Sequence, residues 1–207
     1  MITLYGFPQT RSWRVSWVLE ELGLDWHYQL VNIRQAEQRG HDYSQLNPRR
    51  RVPTLEVDGQ LITESMAACV FVAEKFGDGA LLPAAGTADS AKHQQWLSLI
   101  ISEIEQPLWN MGKHKFALPE EHRIPALLPT AQWEFAKIMA ELESALPEQG
   151  FLLGDNLTVA DILLAQTLNW AKRFEQPLSA KAEAFRARLT ERPAAQSALA
   201  KETASLG

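Results

Sequence analysis

Residues 51–65 constrain the fold of this chain more than any other stretch. Thr54-Leu55-Glu56-Val57 and Gln60-Leu61-Ile62-Thr63 are two short strand-like runs separated by Asp58-Gly59. Both turn residues tolerate positive φ, so the dipeptide predicts a two-residue β-hairpin. Ser65 then opens an apolar helix reaching to about Phe76. Glu64 and Ser65 thereby set an acid and a hydroxyl beside backbone N–H groups that have no partner within the helix. Such a corner can bind a carboxylate and an amine together. Arg51-Val52-Pro53, just before the first strand of the hairpin, offers an extended backbone edge. The two features suit a small peptide with a free amino-acid end.

The rest of the first part alternates strand and helix. Ile2 to Tyr5 reads as a strand and Trp26 to Val31 as another. Between them Val15, Val18, Leu19 and Leu22 recur at i, i+3, i+4 and i+7, the apolar stripe of a helix that Gly23 can stop. A βαβ start, then a hairpin and a helix, is the order of a thioredoxin-like domain, here residues 1–78. Gly77, Gly79, Pro83 and Gly86 mark a linker. Beyond it helical periodicity dominates, predicting an α-helical bundle domain over 88–207 and an α/β plus all-α fold class. The expected helices are Ala91 to about Lys115 with Pro107 kinking or breaking it, Thr130 to Leu146, Val159 to Phe174, Ala180 to Leu189, and a short piece after Pro193. Thr158 and Asp161 form a capping box for the third of these, with Leu157 and Ile162 as its staple, a folding device rather than chemistry.

Composition narrows the function classes. A net charge of −5 over 207 residues gives no nucleic-acid footprint, and Arg49-Arg50-Arg51 is too short a basic run to supply one. There is no apolar run of membrane-spanning length. The opening Met1-Ile2-Thr3-Leu4-Tyr5 reads as strand rather than secretory leader, and Cys69 is the single cysteine, which agrees with a cytoplasmic protein. Cys69 reads as an inert core thiol and the histidines lack metal-ligand spacing, so no metal is assigned.

Residues that can do chemistry gather between Tyr5 and Arg14. Thr10 and Ser12 sit at or just before the start of the first helix. There a hydroxyl can donate to an anion that the helix dipole and Arg11 or Arg14 already favour. If the anion is a substrate thiolate, the thiol pKa falls and it becomes a nucleophile at neutral pH. Either hydroxyl can instead simply cap the helix. Tyr5, by its position on the strand, reads as a packed aromatic with a hydrogen-bonded hydroxyl.

These residues carry a family resemblance. Asn47-Pro48-Arg49-Arg50-Arg51-Val52-Pro53-Thr54-Leu55 with Thr63-Glu64-Ser65 resembles the glutathione-binding signature of the glutathione transferases. Leu4 to Val15, running into Leu19-Glu20-Glu21-Leu22-Gly23-Leu24, resembles their first strand and helix, and Leu157 to Asp161 their C-terminal capping motif. The motif Phe7-Pro8-Gln9-Thr10-Arg11-Ser12 looks like the bacterial serine-type branch. The resemblance implies glutathione as co-substrate and no metal. Thr10, Ser12 or Tyr5 would activate its thiol. Arg51, Val52, Pro53 (in the cis form), Glu64 and Ser65 would bind it. The helical domain, at Trp109, Asn110, Met111 and Lys113, with Trp170 as a further candidate, would wall the site for a small hydrophobic electrophile. It also implies a homodimer, and conjugation as the reaction, with glutathione-dependent peroxidase or disulfide reductase activity as variants. The alternative is a regulatory or binding protein that keeps the fold without catalysis.

Overall fold

The computed structural model describes residues 1–206. The chain opens with β1 (Ile2–Gly6), α1 (Ser12–Glu21), β2 (His27–Leu30), α2 (His41–Leu46), β3 (Thr54–Val57), β4 (Gln60–Thr63) and α3 (Ser65–Phe76). The sheet order is β2-β1-β3-β4. β1 runs parallel to β2 and antiparallel to β3, and β3 antiparallel to β4. This is the thioredoxin-like layout that the sequence predicts. Asp58 and Gly59 adopt φ 52° and 83°, as a tight hairpin turn requires. The Asp58 carboxylate also accepts the N-terminal ammonium at 2.7 Å, tying the turn to the start of β1. α1 ends on a Schellman motif: Gly23, at φ 60°, donates to Glu20 and Leu24 donates back to Leu19.

α1 is buried on nearly every side, from Ser12 through Leu19. Of the expected stripe, Val15, Val18 and Leu19 are fully buried and Leu22 is half-buried. The opposite side is covered by α9 (Pro193–Ala204), which packs along α1. Trp13 Nε1 donates to the Ala195 carbonyl at 3.0 Å, and Arg192 grips Glu21 with two bonds of 2.6 and 2.8 Å. The compact units are residues 1–83 with 190–206, and residues 84–189. The sequence expectation kept the stretch from residue 190 onward with the second domain; by packing, residues 190–206 join the first. Periodicity marks the buried face of a helix but not the partner that covers it.

In the second unit the expected long helix from Ala91 is interrupted twice. α4 (Ala88–Leu99) passes through a π-helical turn at Ile100–Ile104 into α5 (Glu105–Gly112), and a second π turn follows at Lys113–Ala117. Pro107 explains the first: its ring clashes with the carbonyl four residues back, at Glu103, and a widened turn there accommodates it. α6 (Leu128–Leu142), α7 (Val159–Arg173) and α8 (Ala180–Thr190) complete the unit. The capping box at α7 is present. Asp161 Oδ2 accepts the Thr158 N–H at 2.8 Å and its hydroxyl at 2.7 Å, while Oδ1 accepts the Leu152 N–H at 2.7 Å. The second oxygen thus serves a neighbouring loop as well as the cap. His93 on α4 adds to the same helix start, its Nε2 accepting the Ala160 N–H at 3.3 Å.

Candidate active site

The loop from Gly6 to Ser12 brings the three hydroxyl candidates to one end of β1 but gives them different surroundings. Ser12 is fully buried. Its Oγ accepts the Phe7 N–H at 3.2 Å and lies 2.9 Å from Thr10 Oγ1. It acts as the internal brace of the loop and has no surface to offer a ligand. Gly6 permits the brace, since a β-carbon there would come within 2.7 Å of the Ser12 side chain and 3.1 Å of the Tyr28 ring. Tyr5 donates its phenol proton to Glu56 Oε2 at 3.0 Å. Burial, then the bond and charge of Glu56, raise its pKa. Thr10 is partly exposed and donates to the Phe7 carbonyl at 2.7 Å.

Magnitudes separate the last two. Turning Tyr5 to a ligand breaks a charge-assisted bond, worth roughly 1.5–3 kcal/mol. Turning Thr10 breaks a neutral one, worth roughly 0.5–1.5 kcal/mol. Thr10 is the hydroxyl that can be re-aimed at the smaller cost.

The second cluster lies where β4 meets α3. Glu64 stands at φ 70°, ψ 111°, immediately before the helix. Its carboxylate pairs with Arg49 at 2.8 Å, both side chains being more than half exposed. An exposed pair of this kind contributes roughly 0–1 kcal/mol, so an incoming ammonium can replace Arg49 readily. Ser65 is buried, and its Oγ accepts from Arg14 Nη1 at 3.4 Å, a bond that does not use its own hydrogen. Arg14 is itself fully buried and places a positive charge beneath the helix start. A carboxylate there would meet the Ser65 hydroxyl, the helix N-terminus and that charge together.

The Val52–Pro53 peptide bond is cis. Its approach is fixed by Tyr43 and Asn47, whose side chains donate to the Arg51 carbonyl at 2.6 and 2.8 Å. Tyr43 Oη and Asn47 Nδ2 also lie 2.9 and 3.1 Å from Thr54 Oγ1. Asn47 of the signature is thus, with Tyr43, a structural clasp on the turn that presents Val52. The Arg51 side chain is exposed. The basic residue that meets Glu64 is Arg49.

Residues 10–75 match the model of the glutathione S-transferase N-terminal domain, and residues 107–193 match that of the C-terminal domain. The chain belongs to the glutathione S-transferase family. It is 31% identical over 193 residues to a glutathione S-transferase of Escherichia coli O157:H7, covering 89% of this chain and 90% of the relative. It is 30% identical over 181 residues to a probable maleylacetoacetate isomerase of Caenorhabditis elegans, covering 85% and 81%. Among solved structures it resembles a glutathione transferase of Methylococcus capsulatus, with a TM-score of 0.87 and 29% identity over 99% of this chain and 100% of that one.

Within this transferase fold the second unit scatters the four expected electrophile-site residues. Met111 is fully buried and packs as core, with no surface left for a ligand. Trp109 is half-buried, its ring 6.4 Å from that of Trp170, which meets Phe174 edge-on at 5.6 Å. Asn110 instead opens on a groove of about 410 Å³ beside Trp133 and Lys137 of α6. Lys113 begins the second π turn. Sequence reasoning missed the pairings of Arg14 and Arg49. For Arg14 a signal existed: it stands four residues before Val18, on the apolar stripe, and a charge on a buried stripe needs a partner.

Proposed function

We propose that this glutathione transferase lowers the thiol pKa of glutathione with the Thr10 hydroxyl and conjugates the thiolate to a small apolar electrophile. Glu64 accepts from the ligand's ammonium. Ser65 donates to the adjacent carboxylate above Arg14. The Val52 backbone, held by the Tyr43 and Asn47 clasp, pairs with the cysteinyl unit as an added strand. The sulfur then attacks an electrophilic carbon. With an aryl halide the C–S bond forms, the halide leaves with the bonding pair, and the thiol proton goes to solvent. The observation that carries this reading is the division of labour at the end of β1: Ser12 is buried as a brace, Tyr5 is committed to the Glu56 carboxylate, and Thr10 is partly exposed and held only by neutral partners.

A second reaction on the same site, glutathione-assisted isomerisation, is favoured by the 30% identity to a probable maleylacetoacetate isomerase. A purely regulatory protein would not need Thr10, Glu64 and Ser65 retained together. Steady-state turnover with glutathione against an aryl halide, a hydroperoxide, a mixed disulfide and maleylacetoacetate tests the proposal. Conjugation of the aryl halide is the expected result. Isomerisation alone would favour the second reaction, and no turnover with any of the four would contradict catalysis.

A further inference from the structure

α9 carries a carboxylate into the floor of the active loop. The helix turns Ala195, Ala198 and Glu202 inward, a stripe at i, i+3 and i+7. The two alanines let it lie close on α1, and Lys201 anchors its far end by donating to the Trp26 carbonyl at 2.7 Å. Glu202 is fully buried at a position where an apolar side chain would complete the stripe. Its Oε1 accepts the Ser16 hydroxyl at 2.7 Å, and the Gln9 backbone N–H reaches the same carboxyl group. Gln9 holds a left-handed φ of 60° and immediately precedes Thr10.

The surroundings do not fully satisfy this carboxyl. Glu202 Oε2 and Tyr28 Oη are both buried with no hydrogen-bond partner among the described residues. The Tyr28 ring abuts Gly6 at the base of the loop, and the carboxylate charge adds to burial in raising the phenol's pKa. Burial pushes the Glu202 carboxyl up to about 8, while the Ser16 and Gln9 donors pull the other way. A carboxyl group in an apolar stripe costs free energy that alanine or leucine would avoid. Packing alone therefore leaves Glu202 unexplained, whereas its two donors both belong to the loop and to the first turns of α1.

We propose that Glu202 is a positioning residue of the active loop, its carboxyl fixing through the Gln9 N–H and the Ser16 hydroxyl the left-handed turn that sets how Thr10 meets the thiolate. The proposal rests on the reading of Thr10 as thiol activator, and the test separates the two. Glutathione is the probe, its bound thiol titrated by thiolate absorbance in the wild type, Glu202→Leu and Thr10→Ala. Leucine fills the apolar stripe but offers the Gln9 N–H and the Ser16 hydroxyl no acceptor. Glu202→Leu is expected to raise the bound-thiol pKa by about one unit and to lower neutral-pH kcat about tenfold. KM for glutathione should stay nearly unchanged, since Glu64 and Ser65 are untouched.

A lowered melting temperature with an unshifted titration in the folded protein would mean a structural role only and would overturn the proposal. A shift in Thr10→Ala without one in Glu202→Leu keeps the Thr10 reading and overturns the role of Glu202. A shift in Glu202→Leu without one in Thr10→Ala removes Thr10 as the donor and leaves Glu202 as the residue that shapes the loop. Should Glu202→Leu not fold, hydrogen exchange of the Gln9 amide in the wild type decides: protection is expected, and exchange at the rate of an unstructured peptide would overturn the proposal.

Discussion

At Glu64 the backbone occupies φ 70°, a region that disfavours residues with a β-carbon, and the side chain is exposed on a weak ion pair. Neither feature contributes to packing, and both place the carboxylate where a ligand ammonium can replace Arg49. Ser65 next to it is the opposite case, buried over Arg14 with its hydroxyl at a helix start. In the proposed binding mode, removing either group leaves a charged atom of glutathione without its partner. Glu64→Ala and Ser65→Ala should each weaken glutathione binding by roughly 1.5–3 kcal/mol, about ten- to a hundredfold in Kd. Titration calorimetry measures this, and unchanged affinity in both variants would remove the pair from the site.

The elements show which local chemistry determines structure and which does not. The hairpin at Asp58-Gly59 and the cap at Thr158–Asp161 were legible because their residues act within a few positions of themselves. The destination of α9 was not, because Ala195 and Ala198 mark an inward face without naming α1. The π turns were half-legible: Pro107 announced a disturbance, but the chain relieved it one turn earlier instead of breaking. α2 was missed, being a six-residue helix with little apolar periodicity. The Arg49–Glu64 and Arg14–Ser65 pairings join residues 15 and 51 positions apart, a separation at which spacing carries no information.

The start of α7 carries a pH dependence of its own. His93 Nε2 can accept the Ala160 N–H only as neutral imidazole, and burial lowers its pKa. Between the folded pKa and the unfolded value of about 6.5 the unfolded chain binds more protons, so stability falls as pH falls. The contribution is complete above about 6.5 and is lost below it. The melting temperature should drop from about pH 7 to about pH 5, and less steeply in His93→Gln, which keeps an acceptor but does not titrate there. Equal slopes in the two proteins would contradict this assignment.

On the scale of the whole molecule, the two family models account for residues 10–75 and 107–193, and each compact unit holds its own core. The candidate glutathione-binding and thiol-activating residues all belong to the first. There the motifs that the sequence offered separately, Tyr5 to Ser12, Arg51 to Pro53 and Glu64-Ser65, are brought to β1, to the cis turn before β3, and to the start of α3. The central claim is that this unit binds glutathione and holds its sulfur as a thiolate through Thr10. The most direct test is the ultraviolet absorbance of the thiolate, titrated against pH with glutathione bound to the wild type and to Thr10→Ala. The account predicts a bound-thiol pKa below the ordinary thiol value of about 8.5, and a return towards that value in Thr10→Ala with glutathione affinity nearly intact. Bound glutathione that titrates like the free thiol, or a Thr10→Ala variant that titrates like the wild type, would contradict it.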